Sequence, residues 1–203
     1  MNKILFNNQI FEILTLFSTD LKIKLHGRKI AKLLNANQRT VLLNLNKLEE
    51  SKILNSNMNG KNKEFSLNLE YEMTFQILNM TEQYKFIRLQ EKHFFIYSLI
   101  KDLKKIIDEP IIIYGSYANQ TQTKHSDIDI LIVGKPPKHE AEYIIKSSIV
   151  KVHFVNLSKK DFIDGIKKDE PYMKSVVKNH VIPQGAEEFI KWRIKYEQDK
   201  VVR

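Results

Sequence analysis

The sequence predicts a mixed α/β (α+β) protein, and three stretches of the chain indicate this. Residues 109–203 alternate short apolar runs with helical patterns, which is typical of strands and helices packed in layers. Residues 1–69 show three helical patterns followed by two short strand-like runs, and residues 70–108 are apolar-periodic without glycine or proline. We therefore expect an N-terminal domain over 1–69, a helical linker over 70–108 and a C-terminal domain with a small mixed sheet over 109–203.

Composition places the chain among folded globular proteins. Its 203 residues are 42% hydrophobic and 28% charged, which is enough apolar side chain for a core. The absence of cysteine excludes disulfides, thiolate nucleophiles and cysteine-ligated metal sites. No apolar run approaches the ~20 residues that span a bilayer. The apolar stretch among the first residues is too short for a signal peptide. We expect a soluble cytoplasmic protein with no membrane partner.

The net charge of +9, from 33 Lys and Arg against 24 Asp and Glu, favours polyanionic partners such as nucleic acids or nucleotide phosphates. A lysine-rich surface that binds no polyanion would give the same net positive charge. Residues 1–70 hold eleven Lys and Arg against six Asp and Glu, so they are more basic per residue than the rest. A nucleic acid is therefore expected to bind in this segment.

Helical spacing predicts a first helix around Ile10–Phe17, a second over Gly27–Leu34 and a third over Gln38–Glu50. Asn37 stands in the turn before the third helix, where an asparagine side chain can cap its first amides. The apolar residues that the third helix should bury are Val41, Leu42, Leu45 and Leu48. Asn59-Gly60 between two short strand-like runs predicts a β-hairpin.

Three helices and a hairpin, from Leu25 through Val41 and Ile53 to Lys61, resemble the winged helix-turn-helix family. The resemblance implies that the third helix enters the DNA major groove and that the hairpin tip contacts the adjacent backbone. The residues expected to face bases or phosphates are Arg28, Gln38, Arg39, Thr40, Asn44, Lys47, Lys61 and Lys63. The same fold also serves dimerisation and partner docking, so DNA contact and protein contact both stay open.

The linker is expected to be either one long helix or two helices broken near Asn79–Thr81, where Thr81 would cap the second. Aromatic residues cluster at Phe94–Tyr97. We interpret this cluster as core or as a dimer seam and not as a ligand-stacking surface. A homodimer is therefore one of the expected assemblies.

In the C-terminal domain, strands are expected at Ile111–Tyr114, Asp127–Val133 and Ile149–Val155, and helices at His139–Lys146, Asp161–Ile166 and Glu187–Tyr196. Gly115 and Ser116 follow the first strand directly. Glycine permits a tight turn and close backbone approach, and serine offers a hydroxyl and an amide to a phosphate. The end of this strand is therefore a candidate phosphate-binding turn.

Asp127 and Asp129 alternate along the second strand, so both carboxylates are expected to project from one face of the sheet. Two carboxylates beside a phosphate-binding turn suit a hard cation such as Mg²⁺. Burying this like-charged pair without a cation would be costly. The pair is therefore a candidate metal site.

Gly115-Ser116, ten intervening residues and Asp127-Ile128-Asp129 in an apolar strand resemble the signature of the DNA polymerase β-type nucleotidyltransferase superfamily, most of all its minimal nucleotidyltransferase branch. The whole chain, including its tail over Lys178–Ile182 and Gly185–Phe189, is similar to prokaryotic proteins that join a winged helix-turn-helix to this domain. The resemblance implies Mg²⁺-dependent transfer of a nucleoside monophosphate from an NTP, with ATP the favoured donor. A protein hydroxyl (for instance of a toxin partner), an RNA end and a small molecule are the candidate acceptors.

The resemblance assigns nucleotide binding to Gly115, Ser116 and Ser126. It assigns Asp127 and Asp129 to one or two Mg²⁺ ions and to catalysis, because such metals stabilise the attacking and leaving oxygens of an in-line transfer. These roles are carried over only at the positions that match the motif.

Active members usually carry a third carboxylate on a neighbouring strand, and the strand Ile149–Val155 offers Lys151 and His153 instead. Its apolar residues occupy the other face, so Lys151 and His153 are expected to point toward the aspartates. His153 is a candidate general base, given the unperturbed histidine pKa of ~6.5. Alternatively, the two residues neutralise the aspartates in a site without catalysis, and the protein is a nucleotide-sensing regulator or an antitoxin that acts by binding.

Overall fold

The computed structural model of the protein describes residues 6–199, which form two compact units. The first runs to Thr81 and takes in the last described residues from Glu197 on, and the second is Glu82–Tyr196. The mixed α/β composition is confirmed: N-terminal helices accompany a small antiparallel sheet, and the C-terminal domain holds a mixed four-stranded sheet. Among the described residues, no helix combines the length and the apolarity that crossing a membrane requires.

The first unit contains, in chain order, α1 (Asn8–Thr19), β1 (Leu25–His26), α2 (Gly27–Leu33), α3 (Gln38–Glu50), β2 (Leu54–Asn59) and β3 (Asn62–Leu67). The three strands form an antiparallel sheet in the order β1-β3-β2. The predicted hairpin is present, and Gly60 turns its tip with a φ of +59°, a conformation that glycine adopts without steric cost. The side chain of Asn37 caps α3 as expected, since its Oδ1 accepts hydrogen bonds from the amides of Arg39 and Thr40.

Two positions on α3 differ from the sequence prediction. Asn44, expected to face outward toward DNA, is only 4% exposed, and its Nδ2 donates a 2.7 Å hydrogen bond to Oε1 of Gln9. Leu42, expected in the core, is 42% exposed. The buried stripe runs through positions 41, 44, 45 and 48, which is the spacing of one helix face. Position 44 therefore lies in the core stripe and position 42 beside it.

The helical middle of the chain consists of α4 (Glu72–Lys92) and α5 (Phe94–Leu103), and it breaks at His93 rather than near Asn79–Thr81. Oγ1 of Thr81 donates to the carbonyl of Ile77 at 2.8 Å, so this threonine stays inside the helix instead of capping one. His93 leaves the helical conformation with φ −138° and ψ 76°. The helix α4 begins in the first compact unit and ends in the second.

The remaining elements are β4 (Ile111–Tyr114), α6 (Gly115–Asn119), β5 (Ile128–Val133), α7 (Lys138–Lys146), β6 (Val152–Leu157), α8 (Lys159–Lys167), α9 (Pro171–Lys178), β7 (His180–Gln184) and α10 (Ala186–Asp199). Their strand order is β6-β5-β4-β7, with β5 and β6 parallel and the other pairs antiparallel. The three expected strands and three expected helices are present within a few residues. The sequence patterns did not predict α6, α9 or β7; β7 is a short edge strand that contains Pro183, a residue that is tolerated at an edge.

One face of the four-stranded sheet is closed by α5 and α7. Ile113 of β4 and Ile128 and Ile130 of β5 lie in one buried apolar cluster with Leu103 of α5 and Ala141 of α7. Since side chains alternate along a strand, the residues between these isoleucines point to the other face. Asp129 is therefore turned away from this cluster.

A buried group of charges joins the middle of α4 to the start of β7 within the second unit. Oε1 of Glu82 lies 3.2 Å from Nε2 of His180, and Oε2 lies 2.9 Å from Nζ of Lys85. Burial by itself would raise the pKa of Glu82, but the Lys85 ammonium and the His180 imidazole together lower it to about 2. Glu82 is therefore held as a buried, paired carboxylate.

Candidate active site

The two aspartates lie at the start of β5, next to the turn that follows β4. Asp129 is the register partner of Tyr114, the last residue of β4. A Cβ atom added to Gly115 would lie 2.2 Å from Oδ2 of Asp129, and the φ of Gly115 is +69°. Only glycine fits this turn without strain and without displacing the carboxylate. The Gly115 backbone and one carboxylate oxygen are thus packed directly against each other.

Strand β6 brings two basic side chains to the same aspartates. Nζ of Lys151 lies 2.7 Å from Oδ2 of Asp127, and Nδ1 of His153 lies 3.1 Å from Oδ1 of Asp129. The expected orientation of Lys151 and His153 is therefore observed. The hydrogen bond and the charge of Asp127 raise the pKa of Lys151. Because the Lys151 side chain is 82% exposed, water screens this pair and it contributes little to stability.

Two tyrosines lie beside Asp129. The rings of Tyr114 and Tyr172 meet edge to face with their centroids 5.6 Å apart. Burial raises the pKa of both hydroxyls, and the nearby negative charge of Asp129 adds to the effect. Tyr172, at the start of α9, is 39% exposed. The sequence patterns do not predict this pair, since they do not predict α9 itself.

An open cavity adjoins the other aspartate. It has a volume of about 820 Å³, and it extends from Asp127 and Lys151 to three aromatic side chains, His93, Phe95 and Tyr117. None of the three was a predicted site residue. The sequence marks the aromatic cluster around Phe95, but it carries no signal that places this cluster beside Asp127.

The other predicted nucleotide-binding residues have local partners. Oγ of Ser126 accepts a 2.8 Å hydrogen bond from the amide of Thr123, so this hydroxyl closes the turn that precedes Asp127. The carbonyl of Ser116 accepts from the amide of Thr121 at 2.9 Å. The loop between α6 and β5 is therefore held at both ends by the residues expected to bind a nucleotide.

Asp127 and Asp129 offer carboxylate oxygens, the ligand type that Mg²⁺ prefers. In residues 6–199, no group of three or more histidine, aspartate and glutamate side chains is placed to hold a metal ion. Asp127 and Asp129 are partly exposed, with side-chain exposures of 34% and 27%. Mg²⁺ is commonly bound by one or two carboxylates together with substrate phosphates and water. The pair fits a Mg²⁺ ion that arrives with a nucleotide, and not a closed protein cage.

A family model for the nucleotidyltransferase domain matches residues 96–200, slightly more than half of the chain. The chain belongs to this nucleotidyltransferase family. The domain is of the polymerase β type, whose members generally use Mg²⁺ and an NTP, and it implies transfer of a nucleoside monophosphate from an NTP. Comparison with curated proteins and with solved structures finds no matching protein.

The nucleotidyltransferase match begins inside α5 and covers the aspartate pair, the turn at Gly115 and the cavity residues from Tyr117 onward, but not His93 and Phe95. Most of the residues expected to contact DNA lie outside the matched span and are exposed: Arg28, Gln38, Arg39, Thr40, Lys47 and Lys61. Lys63 is partly buried, because its Nζ pairs with Glu49 at 2.6 Å and lies 5.2 Å from the centre of the Phe65 ring. Asn44 is buried, as described above.

Proposed function

We propose that this protein transfers a nucleoside monophosphate from an NTP to an acceptor hydroxyl and releases pyrophosphate. The observation that carries the proposal is the carboxylate pair of Asp127 and Asp129 beside the Gly115–Ser116 turn, within a domain of the nucleotidyltransferase family. The two carboxylates would hold a metal ion that is bound to the triphosphate. ATP is the donor favoured for the first assay.

Asp127 and Asp129 would hold Mg²⁺, which supplies positive charge to the phosphate oxygens as the bond to pyrophosphate breaks. The glycine at 115 lets the Asp129 carboxylate pack directly against the turn, so the proposed metal ligand stays beside the backbone that would receive the phosphates. Lys151 is solvent-exposed and is therefore free to exchange its contact with Asp127 for a phosphate oxygen. His153, beside Asp129, is the candidate base for the acceptor hydroxyl.

A winged helix-turn-helix role is proposed for the first unit. Its order of elements, helix-strand-helix-helix-strand-strand with a three-stranded antiparallel sheet, supports this. The exposed residues of α3 that would contact DNA are Gln38, Arg39, Thr40 and Lys47, with Arg28 on α2 and Lys61 at the hairpin tip. The positive charge of this segment suits the phosphate backbone.

A second candidate function is binding without turnover, in a nucleotide-sensing regulator or an antitoxin. The pairing of Asp127 with Lys151 and of Asp129 with His153 favours it, because two basic groups stand on the strand where active relatives place a third carboxylate. Transfer remains the leading proposal, since both pairs are exposed and weak enough for a metal–nucleotide complex to displace.

The proposal is tested by incubating the full chain with α-labelled ATP, Mg²⁺ and host-cell lysate. We expect label on one protein, RNA or small-molecule acceptor. Asp127→Asn and Asp129→Asn keep the side-chain shape but remove the charge that holds Mg²⁺, so each should lower labelling by about a hundredfold or more.

The matched control is Asp108→Asn, which removes the charge of an exposed aspartate outside the site and should label like the wild type. Labelling that persists in Asp127→Asn would contradict the proposal. Folded wild type that binds ATP but labels nothing would favour the binding-only alternative.

A further inference from the structure

The cavity beside Asp127 is lined by two chemically different groups of residues. One group is His93, Phe95 and Tyr117, which we call the aromatic wall. The other lining residues are mostly polar or charged, namely Gln122, Thr123, Lys124, His125, Ser126, Asp127 and Lys151, with the apolar Ile149 and Val150 beside them. The cavity volume of about 820 Å³ is in the range of small-molecule and cofactor sites.

The aromatic wall is a set of rings in mutual contact. The His93 ring lies 5.2 Å from the Tyr117 ring and 5.6 Å from the Phe95 ring, and Phe95 lies 6.0 Å from Tyr117. Nε2 of Gln122 lies 2.9 Å from Nε2 of His93, which ties the histidine to the loop before Asp127. These contacts hold the wall in a fixed orientation.

The cavity lining combines uncharged aromatic groups with charged groups, and a nucleotide likewise combines an uncharged base with charged phosphates. Burial and the neighbouring Lys92 lower the pKa of His93, so the aromatic wall is uncharged at neutral pH. Lys124 and His125 are exposed beside it, and Lys151 lies next to Asp127. A planar uncharged group therefore suits the aromatic wall, and phosphates suit the lysine side chains.

We infer that the nucleobase of the donor NTP binds in this cavity by stacking on the aromatic wall, with its phosphates directed past Lys124 toward Asp127 and the Gly115 turn. The inference rests on the proposed function and assigns a subsite to it. It gives Phe95, which the sequence alone suggested as core or dimer seam, a role in binding the donor. The acceptor then approaches from the flank of Asp129, where Tyr172 is half-exposed.

Stacking is common to all nucleobases, since each base presents a π-face to an aromatic ring. The wall therefore contributes affinity for any NTP rather than selecting one base. Inorganic tripolyphosphate carries the phosphates without a base, so its affinity reports the phosphate contacts alone. The ratio of the affinities for ATP and for tripolyphosphate therefore measures the contribution of the aromatic wall.

The test measures binding of ATP and of tripolyphosphate to the full chain by calorimetry, both with Mg²⁺. Phe95→Leu keeps an apolar side chain of similar bulk and removes the ring. We expect it to weaken ATP binding by roughly 5- to 150-fold, the range for loss of one base–aromatic stack, and to leave tripolyphosphate binding unchanged. Phe94→Leu is the matched control, because Phe94 is 76% exposed and does not line the cavity, and it should bind both ligands like the wild type.

Wild-type affinity for ATP in Phe95→Leu would overturn the inference and leave the proposed function standing, with the cavity then available to the acceptor. Equal weakening of ATP and tripolyphosphate would also overturn it, since the effect would not come from the base. Failure of the wild type to bind either ligand would instead refute the proposed function.

Discussion

The contact between Gly115 and Asp129 constrains the site at the level of single atoms. A methyl group at position 115 would meet Oδ2 of Asp129 at 2.2 Å, and the positive φ of +69° adds backbone strain for any residue with a side chain. The carboxylate would have to rotate away from the turn. The proposed metal ligand and the proposed phosphate-binding turn therefore depend on each other.

Gly115→Ala is expected to lower nucleotidyl transfer at least tenfold and the free energy of unfolding by about 1–3 kcal/mol. Turnover and thermal melting measure the two effects. Gly60→Ala is the matched control, because Gly60 has a similar φ of +59° but nothing within 4 Å of its added Cβ. It should lose stability and keep turnover; equal turnover in both variants would contradict the role given to Gly115.

At the residue scale, the sequence predicts which way the strand side chains face, but it contains no signal for the cavity. Strict alternation places Asp127 and Asp129 on one face, and the apolar pattern of β6 correctly turns Lys151 and His153 toward them. The aromatic wall could not be derived, because Phe95 and Tyr117 lie on different helices and meet only when both pack against the sheet. The hydrophobic period of a segment predicts the buried face of that one helix or strand, and not its contacts with another.

Among the elements, α3 shows how a helix face decides the role of a residue. Arg39 is exposed, whereas Asn44 is buried and donates to Gln9 of α1. The sequence assigned both to DNA contact because both are polar. The stripe through Val41, Leu45 and Leu48 includes position 44, and the partner on α1 that makes a buried amide tolerable is not visible from α3 alone.

Asn44→Ala should therefore lower the free energy of unfolding by about 1–3 kcal/mol, because Gln9 loses its buried partner. Arg39→Ala should leave stability unchanged and weaken binding of a DNA duplex. Chemical denaturation and fluorescence anisotropy measure the two quantities. An Asn44→Ala protein of wild-type stability would contradict the packing of α3 on α1.

The helix α4 carries the buried carboxylate of Glu82 between Lys85 and His180. Removing one member of a buried charge group leaves the others unpaired, which typically costs about 3–5 kcal/mol. Glu82→Gln should lower the free energy of unfolding by about this amount. Glu91→Gln, on the same helix at an exposed ion pair with Arg88, should change it by less than about 0.5 kcal/mol; similar effects of the two would contradict the buried pairing.

The same carboxylate predicts a direction for acid unfolding. The folded pKa of Glu82 is about 2 and the ordinary value is 4.5, so the unfolded chain takes up the proton first. The stability that Glu82 contributes is complete above pH 4.5 and is lost as the pH falls toward 2, by roughly 3 kcal/mol in total. Urea titrations between pH 5 and pH 2.5 should show the free energy of unfolding falling more steeply for the wild type than for Glu82→Gln. Parallel pH dependences of the two proteins would contradict the low pKa of Glu82.

On the scale of the whole molecule, the proposed DNA contacts lie in the first compact unit and the proposed transfer site lies in the second. We expect the two functions to separate by mutation. Arg39→Ala should weaken DNA binding and keep transfer, and Asp127→Asn should abolish transfer and keep DNA binding. Duplex binding should also weaken steeply with salt, because phosphate contacts release counterions; loss of both functions in either variant would contradict this separation.

The order of helices and strands was largely predictable from the sequence, because helices and strands have different hydrophobic periods. The break at His93 was not, since residues 70–108 contain no glycine or proline that would mark it. The edge strand β7 was not predicted either, because Pro183 masks its pattern.

The most direct test of the central claim is one transfer assay with two labels. With α-labelled ATP we expect label on the acceptor, and with γ-labelled ATP we expect label only in released pyrophosphate. Asp127→Asn should show neither. Transfer of the γ label to the acceptor would mean phosphoryl transfer instead, and it would contradict the nucleotidyl transfer proposed for the Asp127–Asp129 site.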